Sequence, residues 1–444
     1  MNFRTLTIGA LSIVWLCLTA LPASAQMGRR LPSERKIVPD PVTGVPLTFL
    51  TTDAASDSKI YQTHPQWTSD GKWVIFRSSR PGSEGQAMLI NEETGDMIQA
   101  TEGGYSGMLC AAHKSNKLII MRGGRGAPQQ IVEINLDKLI AESMSGNVKP
   151  AAEYERICGT LPEALRSGGN MGIDANDDFA YFNVTGPETT QLSPGQTLQG
   201  PFGGRQPQPM GAGPAGLRSM NLKTGEIKFI CNVGFQIGHV QTNPMTPGEI
   251  IFCWETGGKA PQRTWYVKSD GSELRPLWPE APYDWVTHEA AFNADEVAIA
   301  ILAHRRPGVN DAWGNSSTAE YPTGLAIVNL RTKQMRIAGQ VPIGDPGRSD
   351  WHVAASPDGR WAAFDDFQYR LWIIDRKNGE TKLLADVGHK TSAADHIHPT
   401  FSADSKRIEI QTAMLAEDNR ALDICVVPVP KSWLDRTYGA AFDK

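Results

Sequence analysis

The fold is decided by a strand–turn–strand unit, and its clearest copy is PQWTSDGKWVIF at residues 65–76. A short β-rich segment leads into the polar turn Ser69-Asp70-Gly71, and the apolar run Trp73–Phe76 follows. Asp and Gly favour such turns because the Asp side chain bonds to nearby backbone and Gly accepts a positive φ. A third apolar segment at Ala87–Ile90, a turn at 93–95 and a fourth short segment complete a unit of four predicted strands.

Two further regions repeat this unit closely. One runs from Val353 through the turn Pro357-Asp358-Gly359, and the other from Pro399 through Ala403-Asp404-Ser405. Weaker copies begin near Met108, Met171, Pro244 and Ala290. Seven units spaced roughly 40 to 70 residues apart predict an all-β, seven-bladed β-propeller. A two-sheet sandwich with long loops is the alternative architecture.

The repeat also sets the expected domain boundaries. The propeller is predicted to span residues 46–434, between an N-terminal extension at 26–45 and a C-terminal tail at 435–444. The segment Pro46–Thr51 precedes the first full unit, so we expect it to pair with the last unit and close the ring. Residues 186–216 are rich in Gly, Pro and Gln without periodicity, which predicts a flexible, unstructured insertion within the third unit.

Composition agrees with turn-rich β structure and narrows the partners. The 444 residues include 43 Gly and 30 Pro, which cost about 1 to 3 kcal/mol each inside a helix. The formal net charge of −5 supplies no basic field for nucleic acid or an anionic membrane, so neither is expected as a partner. Beyond Cys17, five cysteines form no CxxC pair, which indicates neither a disulfide scaffold nor a thiolate zinc site.

The first 25 residues have the features of a secretory signal peptide. Arg4 precedes an apolar run at Leu6–Leu21, and Ala23-Ser24-Ala25 forms a small-residue cleavage site before Gln26. An uncleaved membrane anchor is the alternative. No later stretch approaches the roughly 18 apolar residues of a spanning helix. We therefore expect a periplasmic or secreted protein with no membrane span after signal removal.

The histidines occupy related positions in the repeat. His64, His352 and His398 each lie seven residues before the turn position that holds Gly71, Gly359 and Ser405. This position is the start of the first strand of a unit, which borders the central channel of a propeller. His288 is shifted by one residue from this register, and His239 lies shortly before the strand of the preceding unit. We expect these imidazoles to converge on one rim of the channel.

The pair His396-Ile397-His398 adds a spacing argument for metal binding. On a strand, residues i and i+2 point to the same side, so both imidazoles can reach one cation. Three histidine ligands with open positions suit Mn, Fe, Co, Ni or Zn rather than Ca. A structural pair without a metal is the alternative. With His288 from across the channel as the third ligand, the pattern predicts a divalent metal site.

Other side chains near this rim are suited to an acidic sugar. A bidentate Arg matches a carboxylate, and Arg263 is the candidate. Trp254, Trp285, Trp351 and Tyr283 offer faces for sugar stacking, whereas Trp67, Trp73, Trp361 and Trp372 at strand positions are expected in the core. No GxSxG, HExxH, P-loop or GxGxxG signature accompanies them, which disfavours the peptidase and nucleotide-binding classes.

Several segments resemble the oligogalacturonate lyase family. The matching motifs, in order over roughly residues 230 to 430, are Gly238-His239, Phe252-Cys253-Trp254-Glu255, Arg263-Thr264-Trp265, Thr287-His288-Glu289 and His396-Ile397-His398-Pro399. That family is a seven-bladed propeller which cleaves short uronic-acid oligomers by β-elimination and holds a divalent cation, typically Mn. This chain differs from the family pattern at two positions. The family often has a Gln ligand where this chain has Ala393, and it tends to have His where this chain has Trp254.

The resemblance implies roles for the matching residues. His288, His396 and His398 would be the metal ligands, His239 the base and Arg263 a contact for the substrate carboxylate. His64 and His352, on the same rim, are further expected substrate contacts. The implied protein is a Mn-dependent carbon–oxygen lyase that acts on pectin-derived, acidic oligosaccharides. Two alternatives stay open: a non-catalytic periplasmic propeller that serves as an interaction module, and a lyase or hydrolase for another acidic polysaccharide.

Overall fold

The structure is a computed structural model that describes ten ranges of the chain. These are residues 26–124, 126–205, 208–257, 260–281, 283–305, 313–314, 322–340, 350–388, 396–417 and 420–439. The predicted signal peptide, Ala393 and the last five residues of the predicted tail lie outside the described residues.

The elements before the fourth sheet are mostly strands with one short helix. In chain order they are β1 (Arg30–Leu31), β2 (Lys36–Pro39), β3 (Pro46–Phe49), β4 (Asp57–Lys59), β5 (Trp73–Ser78), β6 (Gln86–Asn91), β7 (Met97–Gln99), β8 (Ser106–Ala111), β9 (Lys117–Gly124), β10 (Ala127–Asn135), α1 (Leu136–Met144), β11 (Glu155–Thr160), β12 (Met171–Ile173), β13 (Phe179–Val184), β14 (Gly203–Arg205), β15 (Gln208–Met210), β16 (Ala212–Asn221) and β17 (Ile227–Phe235). Two 3-10 turns cover Ala151–Glu153 and Pro187–Thr189.

The remaining elements continue this pattern and end in a helical turn. In chain order they are β18 (Ile237–Thr242), β19 (Glu249–Trp254), β20 (Thr264–Lys268), β21 (Arg275–Pro276), β22 (Asp284–Ala291), β23 (Glu296–Arg305), β24 (Trp313–Gly314), β25 (Gly324–Asn329), β26 (Met335–Gly339), β27 (Asp350–Ala355), β28 (Trp361–Asp366), β29 (Arg370–Asp375), β30 (Glu380–Asp386), β31 (Thr400–Phe401), β32 (Arg407–Thr412), β33 (Asp423–Pro428) and α2 (Lys431–Leu434).

Seven small antiparallel sheets form the blades of a seven-bladed β-propeller, as predicted. Blade 1 has the strand order β4-β5-β6-β7-β1, blade 2 β8-β9-β10-β11, blade 3 β12-β13-β16-β17 and blade 4 β18-β19-β20-β21. Blade 5 is β22-β23-β25-β26, blade 6 β27-β28-β29-β30 and blade 7 β31-β32-β33-β3-β2. From blade 2 to blade 7, the first strands of successive blades contact one another around the centre.

The ring closes through pairing between the two ends of the chain, which confirms the prediction for residues 46–51. Thr48 pairs with Val426 and Phe49 with Cys425, so β3 extends the last blade. The predicted boundary at residue 45 is corrected, because residues 26–45 are part of the propeller: β2 adds to blade 7 and β1 pairs with β7 of blade 1. Met27 is fully buried there. β2 then forms the outer edge of blade 7.

The repeated polar turn has a common hydrogen bond. The Thr68 hydroxyl donates to the Asp70 carboxylate over 2.6 Å, and Ser356 and Ser402 make the same bond to Asp358 and Asp404. The turn then needs a left-handed residue, which is Gly71 at φ 70° in the first copy. The sequence motif therefore marks the bend between the first and second strands of a blade.

The apolar core lies between neighbouring blades. Trp67 and Trp73 are each 6% exposed, and Trp361 and Trp372 are also buried, which confirms their predicted core positions. Trp361 lies 5.6 Å from Trp433 of α2, measured between ring centroids, so the final helical turn packs onto blade 6. The cysteines of the described residues are all buried and unpaired. No helix in the described part of the chain is long and apolar enough to cross a membrane.

The insertion at 186–216 differs from the prediction of an unstructured tract. It lies between strands β13 and β16 of blade 3 and contains a 3-10 turn and the hairpin β14–β15. The Ser193 amide donates to the Asn232 carbonyl, and the Gln199 amide donates to the Gly234 carbonyl. Trp254 binds it from blade 4 by donating from Nε1 to the Gly211 carbonyl over 2.8 Å. Backbone hydrogen bonds, which composition does not reveal, therefore fix the described part of the insertion.

Candidate functional site

Histidines from different blades meet around Tyr61 in the central channel. The ring centroid of His352 lies 3.8 Å from His398 and 4.2 Å from His288, and His239 lies 6.0 Å from His288. The Tyr61 ring lies 4.8 Å from His239 and 5.2 Å from His398. The predicted convergence of imidazoles on one part of the channel therefore occurs for these four residues.

Local irregularities in the first strands direct these side chains inward. The pairing register shifts between Gly238 and Gln241, between Val286 and Glu289, and between Asp350 and Val353, at the places where His239, His288 and His352 lie. A β-bulge bends a strand and redirects one side chain, and bulges are common beside active sites. His239 and His398 also have left-handed backbone, with φ of 46° and 49°, which is costly for a residue other than Gly.

Three of the imidazoles are fixed through Nδ1. His288 Nδ1 lies 2.7 Å from the Trp351 carbonyl oxygen, and His398 Nδ1 lies 2.8 Å from the His396 carbonyl oxygen. Because a carbonyl only accepts, both nitrogens carry the proton, which leaves Nε2 with a lone pair. His352 Nδ1 donates to the Asp365 carboxylate over 2.9 Å. Such a hydrogen bond on the second nitrogen is typical of histidines that bind metals.

Asp365 connects two of these residues. It is fully buried on β28, where it accepts the His352 backbone amide over 2.6 Å in addition to the ring proton. It also accepts the His398 backbone amide over 3.3 Å. One carboxylate thus holds two histidines from blades 6 and 7 in fixed positions. Burial raises the pKa of Asp365 above its usual range.

Burial holds three of the site's histidines neutral, namely His288, His352 and His398. Burial, followed by the charge of His352, lowers the pKa of His288 well below its usual value. Burial lowers the pKa of His352 in the same way, and that of His398 to about 3. A cation binds only the neutral imidazole. The three rings are therefore in the form that metal coordination requires at neutral pH.

His239 belongs to a second, acidic group, which meets the first where the His239 ring stacks 6.0 Å from His288. Its Nδ1 lies 2.8 Å from Glu289 Oε1, and its Nε2 lies 3.4 Å from Glu255 Oε2. Arg263 donates from Nε to Glu289 Oε2 over 3.1 Å. The short contact places the proton on Nδ1, so Nε2 is the nitrogen that can exchange a proton with a substrate.

Arg263 is placed differently from the expectation that it contacts substrate. Only 2% of the residue is exposed, and its guanidinium lies behind His239, with Nη2 3.2 Å from His239 Nδ1. Its charge is used to hold Glu289, since buried charges need a partner. The sequence showed a cation near the site, but only the tertiary contacts show that a carboxylate is its partner.

His64 is also placed differently from the expectation of a substrate contact. Its Nε2 lies 2.7 Å from the Met171 carbonyl oxygen and its Nδ1 2.8 Å from the Thr63 hydroxyl. Both ring nitrogens are therefore used within the protein. Burial lowers its pKa to about 4. It shares the register of His352 and His398 but joins blade 1 to blade 3.

His396 reaches the group by a different route from the predicted strand pair. Residues 396–399 are not in a strand, so the i and i+2 argument does not describe this segment. The His396 ring lies 5.3 Å from His352 and stacks on Tyr369 at 5.4 Å. Its carbonyl, rather than its ring, holds His398. His352, expected as a substrate contact, is the residue that lies between the predicted ligands.

The donor atoms fit a divalent cation. One ring nitrogen each of His352 and His396 and one Asp365 oxygen lie within 4.8 Å of one another. Atoms of His239, Cys253 and Glu255 form a similar group, but burial raises the pKa of the Cys253 thiol well above its usual value. A metal ligand must be the thiolate. The histidine-rich group is therefore the better candidate.

Aromatic side chains flank the histidines. The Trp351 ring lies 4.8 Å from His288 and 4.9 Å from Phe367, which is 40% exposed. Trp254, in contrast, is 6% exposed and stacks on Phe235, where it supports the insertion. Trp351 is thus suited to border a sugar site, whereas Trp254 is a packing residue.

The sequence pattern assigns no role to Tyr61, Asp365 or Glu289. Glu289 directly follows His288. An acidic residue next to a candidate metal ligand is a sequence signal from which Glu289 could have been identified. Tyr61 is far in sequence from His239 and His398, and the ring of blades brings it beside them. Asp365 lies on β28, which pairs with the β27 strand that carries His352.

Comparison with known proteins supports the resemblance seen in the motifs. No family model matches the chain. An oligogalacturonide lyase of Pectobacterium atrosepticum and an oligogalacturonate lyase of Dickeya dadantii are each 24% identical over 209 residues, which is 43% of this chain. The match spans half the length of these curated relatives.

Solved structures give a wider match in fold. An oligogalacturonate lyase in complex with manganese has a TM-score of 0.69 and 18% identity, and covers 92% of this chain and 100% of its own. An oligogalacturonate lyase from Vibrio parahaemolyticus has the same TM-score and coverage, with 17% identity. The fold is therefore that of a seven-bladed propeller, and the chain resembles oligogalacturonate lyases in both sequence and fold.

Proposed function

We propose that this protein is a metal-dependent lyase that cleaves short uronic-acid oligosaccharides by β-elimination. The observation that carries the proposal is that two groups adjoin beside Tyr61: neutral imidazoles fixed through Nδ1, and His239 fixed by Glu289. The names of the similar proteins support oligogalacturonate as the substrate class. The reaction needs a cationic site for a carboxylate and a base for a carbon-bound proton, and the two groups match these needs.

The residues that would hold the metal are His352 and His396, whose ring nitrogens converge with an Asp365 oxygen, and the rings of His288 and His398 lie beside His352. One similar structure is a manganese complex, which supports a divalent cation of this type. When bound, the cation would draw charge from the uronate carboxylate and stabilise the enolate-like charge that develops next to C5. The neutral imidazoles would bring no negative charge to it. Asp365 holds the Nδ1 proton of His352, and one of its oxygens lies among the donor atoms of the same group.

His239 is the residue suited to take the C5 proton. Glu289 holds Nδ1–H, which leaves the lone pair on Nε2, and the side chain is 17% exposed toward the channel. When Nε2 accepts the proton, Glu255 at 3.4 Å lies where it stabilises the imidazolium. The Arg263–Glu289 ion pair holds the carboxylate in place for this step. The oxygen at C4 then leaves with the electron pair, which gives a 4,5-unsaturated sugar.

The proposal is tested with digalacturonate, trigalacturonate and glucuronate-containing oligomers, each with Mn²⁺ and with EDTA. The unsaturated product absorbs in the ultraviolet, so a metal-dependent rise in absorbance on at least one uronide is expected. Neutral digalactose is the matched substrate control, since it lacks the carboxylate that acidifies C5. Absence of the unsaturated product on every uronide would overturn the lyase proposal, and new reducing ends without that product would indicate a hydrolase.

A further inference from the structure

A second cavity lies on the flank of the propeller, between blades 2 and 3. It has a volume of about 650 Å³ and is bordered by Leu165 after blade 2, by Glu188 and Leu192 of the insertion, and by Arg218 and Phe229 of blade 3. None of the channel histidines borders it. Its walls combine apolar residues with five polar ones, and Arg218 is its basic side chain.

Arg218 is a buried cation without a carboxylate partner. The residue is 4% exposed, and its hydrogen bonds all use Nη1, which donates to the carbonyls of Leu217 and Cys231 and to Asn232 Oδ1. In the part of the chain that the structure describes, no carboxylate oxygen lies within ion-pair distance of it, and Nε and Nη2 donate to no group. Burial accordingly lowers the pKa of Arg218. The charge of Glu188, which borders the same cavity, partly offsets this effect from beyond ion-pair distance.

The surroundings of Arg218 are built to hold its guanidinium in one orientation. A Cβ at Gly216 would lie 2.3 Å from Asn232 Oδ1 and 2.8 Å from Arg218 Nη1, so only glycine leaves room for this hydrogen bond. Asn232 is 1% exposed and donates from Nδ2 to the carbonyls of Glu188 and Gln191. The same amide side chain therefore fixes both the arginine and the wall of the cavity formed by the insertion.

The edge of the Arg218 guanidinium that makes no hydrogen bond within the described residues is suited to one kind of ligand. Nε and Nη2 form the side-on pair of donors that matches the two oxygens of one carboxylate. The guanidinium carbon lies 4.7 Å from the centre of the Phe229 ring, and Phe229 is 57% exposed. An aromatic face beside a carboxylate-binding edge suits a ring that bears one carboxylate. Glu188 borders the same cavity and repels a second negative charge, which favours a monoanion over a dianion such as phosphate.

We propose that this flank cavity is a binding site for a compact monocarboxylate, held by the Nε and Nη2 edge of Arg218 and packed on Phe229. The ligand class is a six-membered ring with one carboxylate, either a uronic-acid sugar or a non-sugar ring acid. The site is separate from the histidine group and does not rest on the lyase proposal.

The test is calorimetry and ligand-observed NMR on the whole protein in EDTA and low salt, with galacturonate, cyclohexanecarboxylate and neutral galactose. The two acids distinguish a sugar site from a general ring-acid site, and galactose tests the need for the carboxylate. We expect binding of at least one acid, at least tenfold weaker binding in Arg218→Gln, and an intermediate loss in Arg218→Lys, because lysine keeps the charge but lacks the paired donors. Arg30→Gln on β1 is the matched control, since it makes the same substitution at an exposed arginine outside the cavity, and it is expected to bind as the wild type does.

A second variant keeps the test valid if Arg218→Gln does not fold, which its melting temperature will show. Glu188→Gln removes the repulsive charge and is expected to strengthen binding of the acid at least twofold, more at low salt than at high salt. The proposal is overturned if neither acid binds, if Arg218→Gln binds as well as the wild type, if Glu188→Gln has no effect, or if Arg30→Gln loses binding to the same extent as Arg218→Gln.

Discussion

The sharpest prediction concerns His64 and His352. The two residues have the same position in the sequence repeat, but the structure gives them different contacts. His352 donates from Nδ1 to Asp365 and lies between His288 and His398, whereas His64 uses both ring nitrogens in hydrogen bonds within the protein. Replacing either with Ala removes a buried imidazole of the same size. Only His352→Ala removes a nitrogen available to a cation.

The magnitude follows from ligand chemistry. Loss of a residue that merely supports a metal ligand costs about 10- to 100-fold in metal affinity, so loss of a ligand is expected to cost at least about 100-fold. This corresponds to about 2.8 kcal/mol, at about 1.4 kcal/mol per tenfold change. His64→Ala is expected to change metal affinity by less than about threefold, although it loses hydrogen bonds worth about 1 kcal/mol each in stability.

The assay is Mn²⁺ titration in competition with a chromophoric chelator, together with elemental analysis of the purified proteins. Melting temperatures in EDTA separate loss of metal from loss of fold. Retention of wild-type affinity by His352→Ala, or an equal loss in His64→Ala, would refute the assignment of His352 as a ligand. An Asp365→Asn variant is expected to fall between the wild type and His352→Ala, since the neutral amide holds the ring less firmly.

Three other perturbations have defined outcomes. Glu289→Gln is expected to lower kcat on a uronide at least tenfold with little change in KM, because the amide no longer fixes the Nδ1 proton of His239; an unchanged kcat and pH profile would contradict this role. Burial raises the pKa of Glu409 from 4.5 to about 8, so the folded state binds its proton more tightly than the unfolded chain and stability falls as pH rises from about 4.5 to about 8. Glu409→Gln should reduce this slope in denaturant titrations, and an unchanged slope would show that other groups cause it. Trp254→Ala is expected to cost about 3 kcal/mol and to expose the insertion to proteolysis, whereas Trp254→Phe should cost less; equal cutting of wild type and Trp254→Ala would contradict the anchoring contact.

Most of the fold could be predicted from local sequence. The Ser-Asp-Gly turn and its counterparts depend on hydrogen bonds between neighbouring residues, such as Thr68 to Asp70, so the motif is visible in the chain itself. The predicted domain boundary at residue 45 and the prediction of an unstructured insertion were both wrong, for the same reason. Met27 and Ser193 are held by partners far along the chain, and composition contains no record of such contacts.

For the site, the residue types and their register were readable from sequence, and their partners were not. The spacing of histidines before each turn placed His239, His288, His352 and His398 near the channel, because the repeat converts sequence position into blade position. The use of each nitrogen depends on where bulges turn the side chains and on which carbonyl or carboxylate the neighbouring blade presents. Closure of the ring therefore decided that His352 lies among the candidate ligands, that His64 is a structural residue, and that Arg263 supports Glu289.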